Sequence, residues 1–472
     1  MQVILGLLFK HVLGESEIRP FKWGVSTAAF QIEGGWNEDG RGPSIWDTFA
    51  HRANSSVHNN DTGDVADDHY HRWEQDIELM SELGVKNYRF SISWSRVLPT
   101  GFVEDGINWK GIEFYSKIVD KLLEKRIEPY VCLYHWDLPQ GLEDRFNGWL
   151  DPRSVDAFEA YASLMFRNLG DRVKHWFSFN EPLSFTLLGY FSGVHAPGRS
   201  TANRNGDSWK DPYTVSRHVL LSHARAAKIF REHYFHLSPD ASFSIVVNCD
   251  TNLPMTNSQE DKDASERSMI FSFAWWVDPL FFGQFPQEML QAAGPNITEF
   301  SPEESKLLKG SILGHRHRNL GVNHYTSSFV SAKDLGPDPR EPNPRPEVQI
   351  GWAAHLGVYT YHWKEDKIIG ARSDSSWLYV VPKGMRFLMN WVYNRYKSEN
   401  IGIMITENGV DVPEESHLYE KQDILHDAFR TNYLMQYLEQ LRLAIQEDKV
   451  PVSGYFVWSF LGKFAFFLHL DS

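Results

Sequence analysis

The sequence predicts an α/β fold, specifically a (β/α)8 barrel, and three observations predict it. Eight short apolar runs of strand character are spaced along the 472 residues. Amphipathic helical patterns fall between them. No low-complexity linker breaks the alternation, and the one irregular stretch is a Pro-rich loop at residues 336–346. Strands alternating with helices imply a parallel sheet. Eight such units in one uninterrupted chain imply that the sheet closes on itself.

The strands are expected at residues 21–26, 86–91, 128–134, 175–180, 242–248, 320–325, 402–407 and 452–458. Helical periodicity runs over 72–83, 110–125, 155–169, 212–233, 385–396 and 423–446. Residues 1–20 stand outside this pattern as an N-terminal extension, and 21–472 read as one domain. The apolar run from Val3 to Phe9 is too short to span a bilayer. It also lacks a basic n-region and a clear small-residue cleavage site. Sequons at Asn54, Asn60 and Asn296 pull towards secretion, while Cys132 and Cys249 imply no disulfide framework. A secreted and a cytoplasmic location both stand.

Function in such a barrel collects at the C-terminal ends of the strands. Arg89, His135 with Trp136, Asn180 with Glu181, Asn323 with Tyr325, and Glu407 all fall at or beside those ends. Glu181 and Glu407 close two strands that lie three apart in the ring, so they can face each other across the mouth. Cleavage of a glycosidic bond needs such a pair: one carboxyl protonates the leaving oxygen, the other stands on the opposite face of the ring. A separation of roughly 5–5.5 Å gives retention of configuration through a covalent intermediate. Pro182 stops the first strand, and Asn408-Gly409 is expected to turn tightly and leave Glu407 at the rim.

The neighbours suit different proton affinities for the two carboxyls. Arg89 is placed to hold Glu407 ionised and Tyr325 to donate to the same group. Asn180 is a candidate partner for a sugar 2-hydroxyl. Gln31, His135 and Trp136 offer an amide, an imidazole and an indole to other hydroxyls. Single residues of these types are often structural; their recurrence at strand ends is what favours a site.

Composition narrows the ligand. A formal charge of −14 with no basic run argues against nucleic acid. Seventeen Trp, 19 Tyr and 31 Phe favour a ligand with apolar ring faces such as a sugar, although a large barrel also uses rings in its core. No His/Cys/carboxylate cluster shows metal-ligand spacing, and there is no phosphate loop or dinucleotide fingerprint. No metal or cofactor is therefore expected.

These segments resemble those of the family 1 glycoside hydrolases, which include plant and animal β-glucosidases and lactase-like enzymes. Phe21-Lys22-Trp23-Gly24 through Ala29-Phe30-Gln31-Ile32-Glu33-Gly34 is similar to the family's N-terminal signature. Ser178-Phe179-Asn180-Glu181-Pro182 matches its acid/base motif, with Ser where Thr is commoner, and Ile405-Thr406-Glu407-Asn408-Gly409 its nucleophile motif. Tyr88-Arg89-Phe90-Ser91, Tyr134-His135-Trp136-Asp137 and Asn323-His324-Tyr325-Thr326 resemble its other site segments, and Trp458 joins the substrate-binding set. The resemblance implies retaining hydrolysis of small β-glycosides, no cofactor, Glu181 as acid/base and Glu407 as nucleophile. The intact Glu181 speaks against the myrosinase branch.

The tail departs from that pattern. Where the family continues Leu-Leu-Asp-Asn-Phe-Glu-Trp, this chain reads Phe460-Leu461-Gly462-Lys463-Phe464-Ala465-Phe466. The Glu that the resemblance expects to grip the sugar's 4- and 6-hydroxyls is thus Ala465, the Trp beside it is Phe466, and the eighth helix has no counterpart. Two readings follow: an active hydrolase, or a catalytically impaired barrel that binds sugar or a protein partner. A phosphoglycoside hydrolase would want a basic pocket in this loop, where only Lys463 is available.

Overall fold

The computed structural model describes residues 21–53, 57–203, 205–337, 340, 350–413 and 426–461. Eight parallel strands form the barrel: β1 (Lys22–Ser26), β2 (Asn87–Ser91), β3 (Glu128–Tyr134), β4 (His175–Asn180), β5 (Ser242–Asn248), β6 (Arg318–Asn323), β7 (Ile401–Glu407) and β8 (Val452–Trp458). Each pairs with its neighbour in chain order, and β1 closes the ring on β8 from Lys22↔Gly454 to Ser26↔Trp458. The strands are apolar because helices cover their outer faces and side chains fill the inside. Tyr130, Cys132, Phe177, Val246, Met404 and Phe456 form that inner plug. Gly24 makes room for it, since a Cβ there would run into the Phe456 ring.

The outer layer includes His69–Glu82, Trp109–Glu124, Arg153–Leu169, Asp211–His233, Lys383–Tyr396 and Ala428–Gln446. Most show the expected one-sided burial, as where Trp109–Glu124 buries Ile112, Tyr115, Ile118, Val119 and Leu122, whereas Asp211–His233 is buried all round from His218 to Ala224. Between β5 and β6 the chain also forms Gln259–Met269, a π-turn at Ile270–Ala274, and Trp275–Phe282. None of the helical patterns singled out from the sequence falls there. Trp275, Trp276, Val277, Leu280 and Phe281 are buried all round the last segment, so no polar face marks its period.

Two local expectations change. The sixth strand is Arg318–Asn323, two residues earlier than read, so His324 and Tyr325 lie past its end. Residues 408–410 form no turn. Gly409 is required instead by close approach, because a Cβ there would collide with the Trp458 carbonyl at the end of β8. The expectations on Val3–Phe9, the Asn54 sequon, most of the Pro-rich loop, and Lys463, Ala465 and Phe466 lie outside the described residues. No helix among those described is long and apolar enough to cross a membrane.

Candidate active site

The strand ends meet in one buried hydrogen-bonded network. Glu407, the last residue of β7, is 3 % exposed. Arg89 from β2 donates Nη1 to Glu407 Oε1 at 2.6 Å, and Tyr325 donates its hydroxyl to Oε2, also at 2.6 Å. The Tyr325 backbone carbonyl accepts from the hydroxyls of Tyr433 and Tyr437, which fixes the segment carrying that phenol. The β7–β6 register shifts between Ile405 and Glu407, a local bulge of the kind that re-aims a side chain beside a site.

Glu181 follows β4 and precedes the helix Pro182–Tyr190, with Pro182 at the first helical position. Its backbone is left-handed, φ 49° and ψ 62°, and its N–H donates to the Val246 carbonyl of β5. Asn323 Nδ2 donates to Glu181 Oε1 at 2.7 Å and lies 3.2 Å from Asn180 Oδ1. The Thr406 hydroxyl donates to Asn323 Oδ1, so the amide is aimed from behind. Ser184 donates to Glu181 Oε2 at 2.9 Å.

Asn180 joins the two halves. Its Oδ1 accepts from Arg89 Nη2 at 2.5 Å and from Asn323, and its Nδ2 meets His135 Nε2 at 3.0 Å. His135 therefore accepts at Nε2 and carries its hydrogen on Nδ1; burial and the Arg89 charge hold it neutral, well below the usual histidine range. Its ring stacks on Trp458 at 5.6 Å. The Trp136 indole N–H, expected to reach a sugar hydroxyl, is already donated to the Asn180 carbonyl at 3.0 Å, leaving its ring face as what it offers. Gln31 sits half-buried on the short helix Ala29–Ile32 beyond β1 and, among the described residues, joins none of these bonds.

The two carboxyls live in different fields. Burial pushes Glu181 up to about 8, and the nearby Glu407 charge adds to this against Asn323 and Ser184. Burial also raises Glu407, but there the Arg89 guanidinium and the Tyr325 hydroxyl pull it back. Neutral donors alone hold Glu181; a full positive charge holds Glu407. Among the described residues, no group of three or more His, Cys, Asp or Glu is placed to hold a metal.

Several contributors escape the sequence reading. Ser184 sits one helical turn after Glu181, a spacing the sequence does display. Asn248 acts through Ser184 on the helix after β4 and Thr406 through Asn323 on the neighbouring strand, contacts that no spacing reveals. Trp377 is 43 % exposed and edge-on to Tyr325 at 6.1 Å, in a loop that carries no motif.

Fold and site together define a (β/α)8-barrel protein with a paired-carboxylate centre at its mouth. The model of glycosyl hydrolase family 1 matches residues 18–469. β-Glucosidase 40 of Arabidopsis thaliana is 42 % identical over 453 residues, covering 93 % of this chain and 84 % of its own. β-Glucosidase 6 of Oryza sativa subsp. japonica is 41 % identical over 446 residues, covering 93 % and 82 %. A rice β-glucosidase mutant solved in a covalent complex with Glc superimposes with a TM-score of 0.87 at 40 % identity, over 95 % of this chain and 91 % of that one. The chain belongs to glycosyl hydrolase family 1.

Proposed function

We propose that this protein is a β-glucosidase-type hydrolase that cleaves small β-glycosides with retention, using Glu181 as acid/base and Glu407 as nucleophile. The observation that carries the reading is the asymmetry just described: a carboxyl pushed up to about 8 beside one paired with a guanidinium. Two carboxyls whose surroundings push them apart are the signature of divided acid and nucleophile roles.

In the first step a Glu407 oxygen bonds to the anomeric carbon as the glycosidic C–O bond breaks. The Glu181 proton passes to the departing oxygen, and the freed alcohol leaves. In the second step Glu181, now a carboxylate, takes a proton from water as the water oxygen attacks the anomeric carbon. The ester bond to Glu407 breaks, and two inversions return the original configuration. Arg89 and Tyr325 keep Glu407 charged for attack and stabilise it as it departs.

His135 and Trp458, with the Trp136 ring, Asn180, Asn323 and Gln31, supply the surface for the sugar undergoing cleavage. Trp377, edge-on to Tyr325 and partly exposed, suits the leaving group. One barrel domain from residue 21 onward is part of this reading, with residues 1–20 as an extension. The impaired-barrel and phosphoglycoside alternatives rest on tail residues that lie outside those described, and no observation among the described ones favours either.

Hydrolysis of a chromogenic β-glucoside by the purified chain, with β-galactoside and β-fucoside for comparison, tests the proposal. Activity that Glu181→Ala and Glu407→Gln each abolish supports it. A folded protein inert on all three substrates would contradict it.

A further inference from the structure

Glu181 is gripped on both carboxylate oxygens, and the second grip comes from a pair of residues that the catalytic reading does not use. Ser184 Oγ donates to Glu181 Oε2 at 2.9 Å and accepts from Asn248 Nδ2, also at 2.9 Å. A serine hydroxyl owns a single hydrogen. An amide –NH2 can only donate, so Asn248 occupies the accepting side of that oxygen and leaves its hydrogen for the carboxylate. Asn248 is the last residue of β5 and pairs in register with Asn323 of β6. Asn323 in turn donates to the other oxygen of Glu181. The ends of two adjacent strands therefore each govern one oxygen of the same carboxyl.

We propose that Ser184, with its hydroxyl oriented by Asn248, is a positioning residue that fixes the rotamer of Glu181 and tunes its readiness to give up its proton. The inference rests on the acid/base role proposed above. Glu181 passes through both protonation states in each turnover. A hydroxyl aimed at the carboxylate favours the ionised form, so it makes Glu181 a stronger acid towards the leaving oxygen.

Charged and titratable groups face Glu181 from several of the described elements. Glu407 on β7 and Asp250 just past β5 both oppose its ionisation, as does burial. The Tyr325 phenol, following β6, lies within the same electrostatic reach. Arg89 on β2 spends its charge on Glu407 and its second nitrogen on Asn180. Ser184 and Asn323 are thus the donors that draw Glu181 back towards the ionised form.

The test is the pH dependence of kcat/KM on a β-glucoside with a poor leaving group, where acid help is needed. The basic limb reports loss of the Glu181 proton. Removing a donor to the carboxylate raises its proton affinity, so Ser184→Ala is expected to move that limb up by roughly one pH unit, the worth of one hydrogen bond to a charged group. Ser184→Thr keeps the hydroxyl and is expected to restore the wild-type limb. Asn248→Ala frees the hydroxyl to turn away and is expected to shift the limb in the same direction by less. The acidic limb stays where it is in all three.

A Ser184→Ala limb that coincides with wild type, or moves down, overturns the proposal. If that variant does not fold, an unmoved limb in Asn248→Ala overturns it. Failure of the underlying acid/base reading looks different: Glu181→Gln would then keep both the basic limb and the rate, with Ser184 intact.

Discussion

Arg89 and Glu407 are paired at 2.6 Å with both side chains almost wholly shut off from water, at 1 % and 3 % exposure. The pair is separated by 318 residues in sequence and is made by the second and seventh strands reaching across the barrel mouth. A buried pair gains little for stability by itself, because desolvation offsets most of the attraction. In the mechanism we propose, its value lies in holding a negative charge where an anomeric carbon is attacked.

Breaking that pair is therefore a functional lesion first. Arg89→Gln leaves a buried carboxylate unpaired, at a cost of about 3 kcal/mol that Glu407 escapes in part by taking a proton. Glu407 must be ionised to attack, so activity rises with pH through its titration. Losing the guanidinium raises that titration, and the acidic limb of kcat/KM moves to higher pH. A fall of about 100-fold in kcat/KM on the acidic side accompanies the shift. An unshifted acidic limb contradicts the role given to Arg89.

The proton on Glu181 also leaves a mark on stability. Its folded-state value of about 8 stands above the ordinary 4.5. Between those values the folded chain keeps a proton that the unfolded chain releases. Stability from this group is thus fully present below the lower value and is lost as pH rises towards the upper one, on the order of 1 kcal/mol per pH unit. Glu181→Gln has no proton to lose. Denaturation curves are expected to show the variant more stable than wild type at alkaline pH, with the gap closing near the ordinary carboxyl range. A gap that is constant with pH contradicts the elevated proton affinity.

Trp377 makes a third case. It stands edge-on to Tyr325 yet remains partly open to solvent, so a leaving group is its natural partner. Trp377→Ala is expected to raise KM for aryl β-glucosides by about 2- to 10-fold, the worth of one aromatic contact, with kcat nearly unchanged. Loss of kcat with KM unchanged would place Trp377 in the chemistry instead.

Much of this architecture is legible in the sequence, for physical reasons. Barrel strands are buried on both faces, so they show as apolar runs, and β3, β4, β5 and β8 fall on the residues read for them. The β6 boundary slips because Arg318 and Asn319 begin the strand at its polar end, where no apolar pattern marks it. Trp275–Phe282 is hidden by being apolar on every side. At the site, Glu181 and Glu407 stand out because chemistry places them at strand ends. Asn248 and Thr406 do not, since they work through another residue's side chain and only the pairing of neighbouring strands brings them near. Trp136 shows the opposite error: its identity suggests a free indole N–H, and the fold has already used it.

The most direct test of the central claim is to trap the covalent intermediate. A 2-deoxy-2-fluoro-β-glucoside with a good leaving group slows both steps, because fluorine destabilises the oxocarbenium-like transition state, yet still allows the first to occur. Intact-mass and peptide mapping are expected to find one fluoroglucosyl group, on the peptide carrying Glu407, absent from Glu407→Gln. Turnover of ordinary β-glucosides without any adduct, or an adduct on a different residue, would contradict the account.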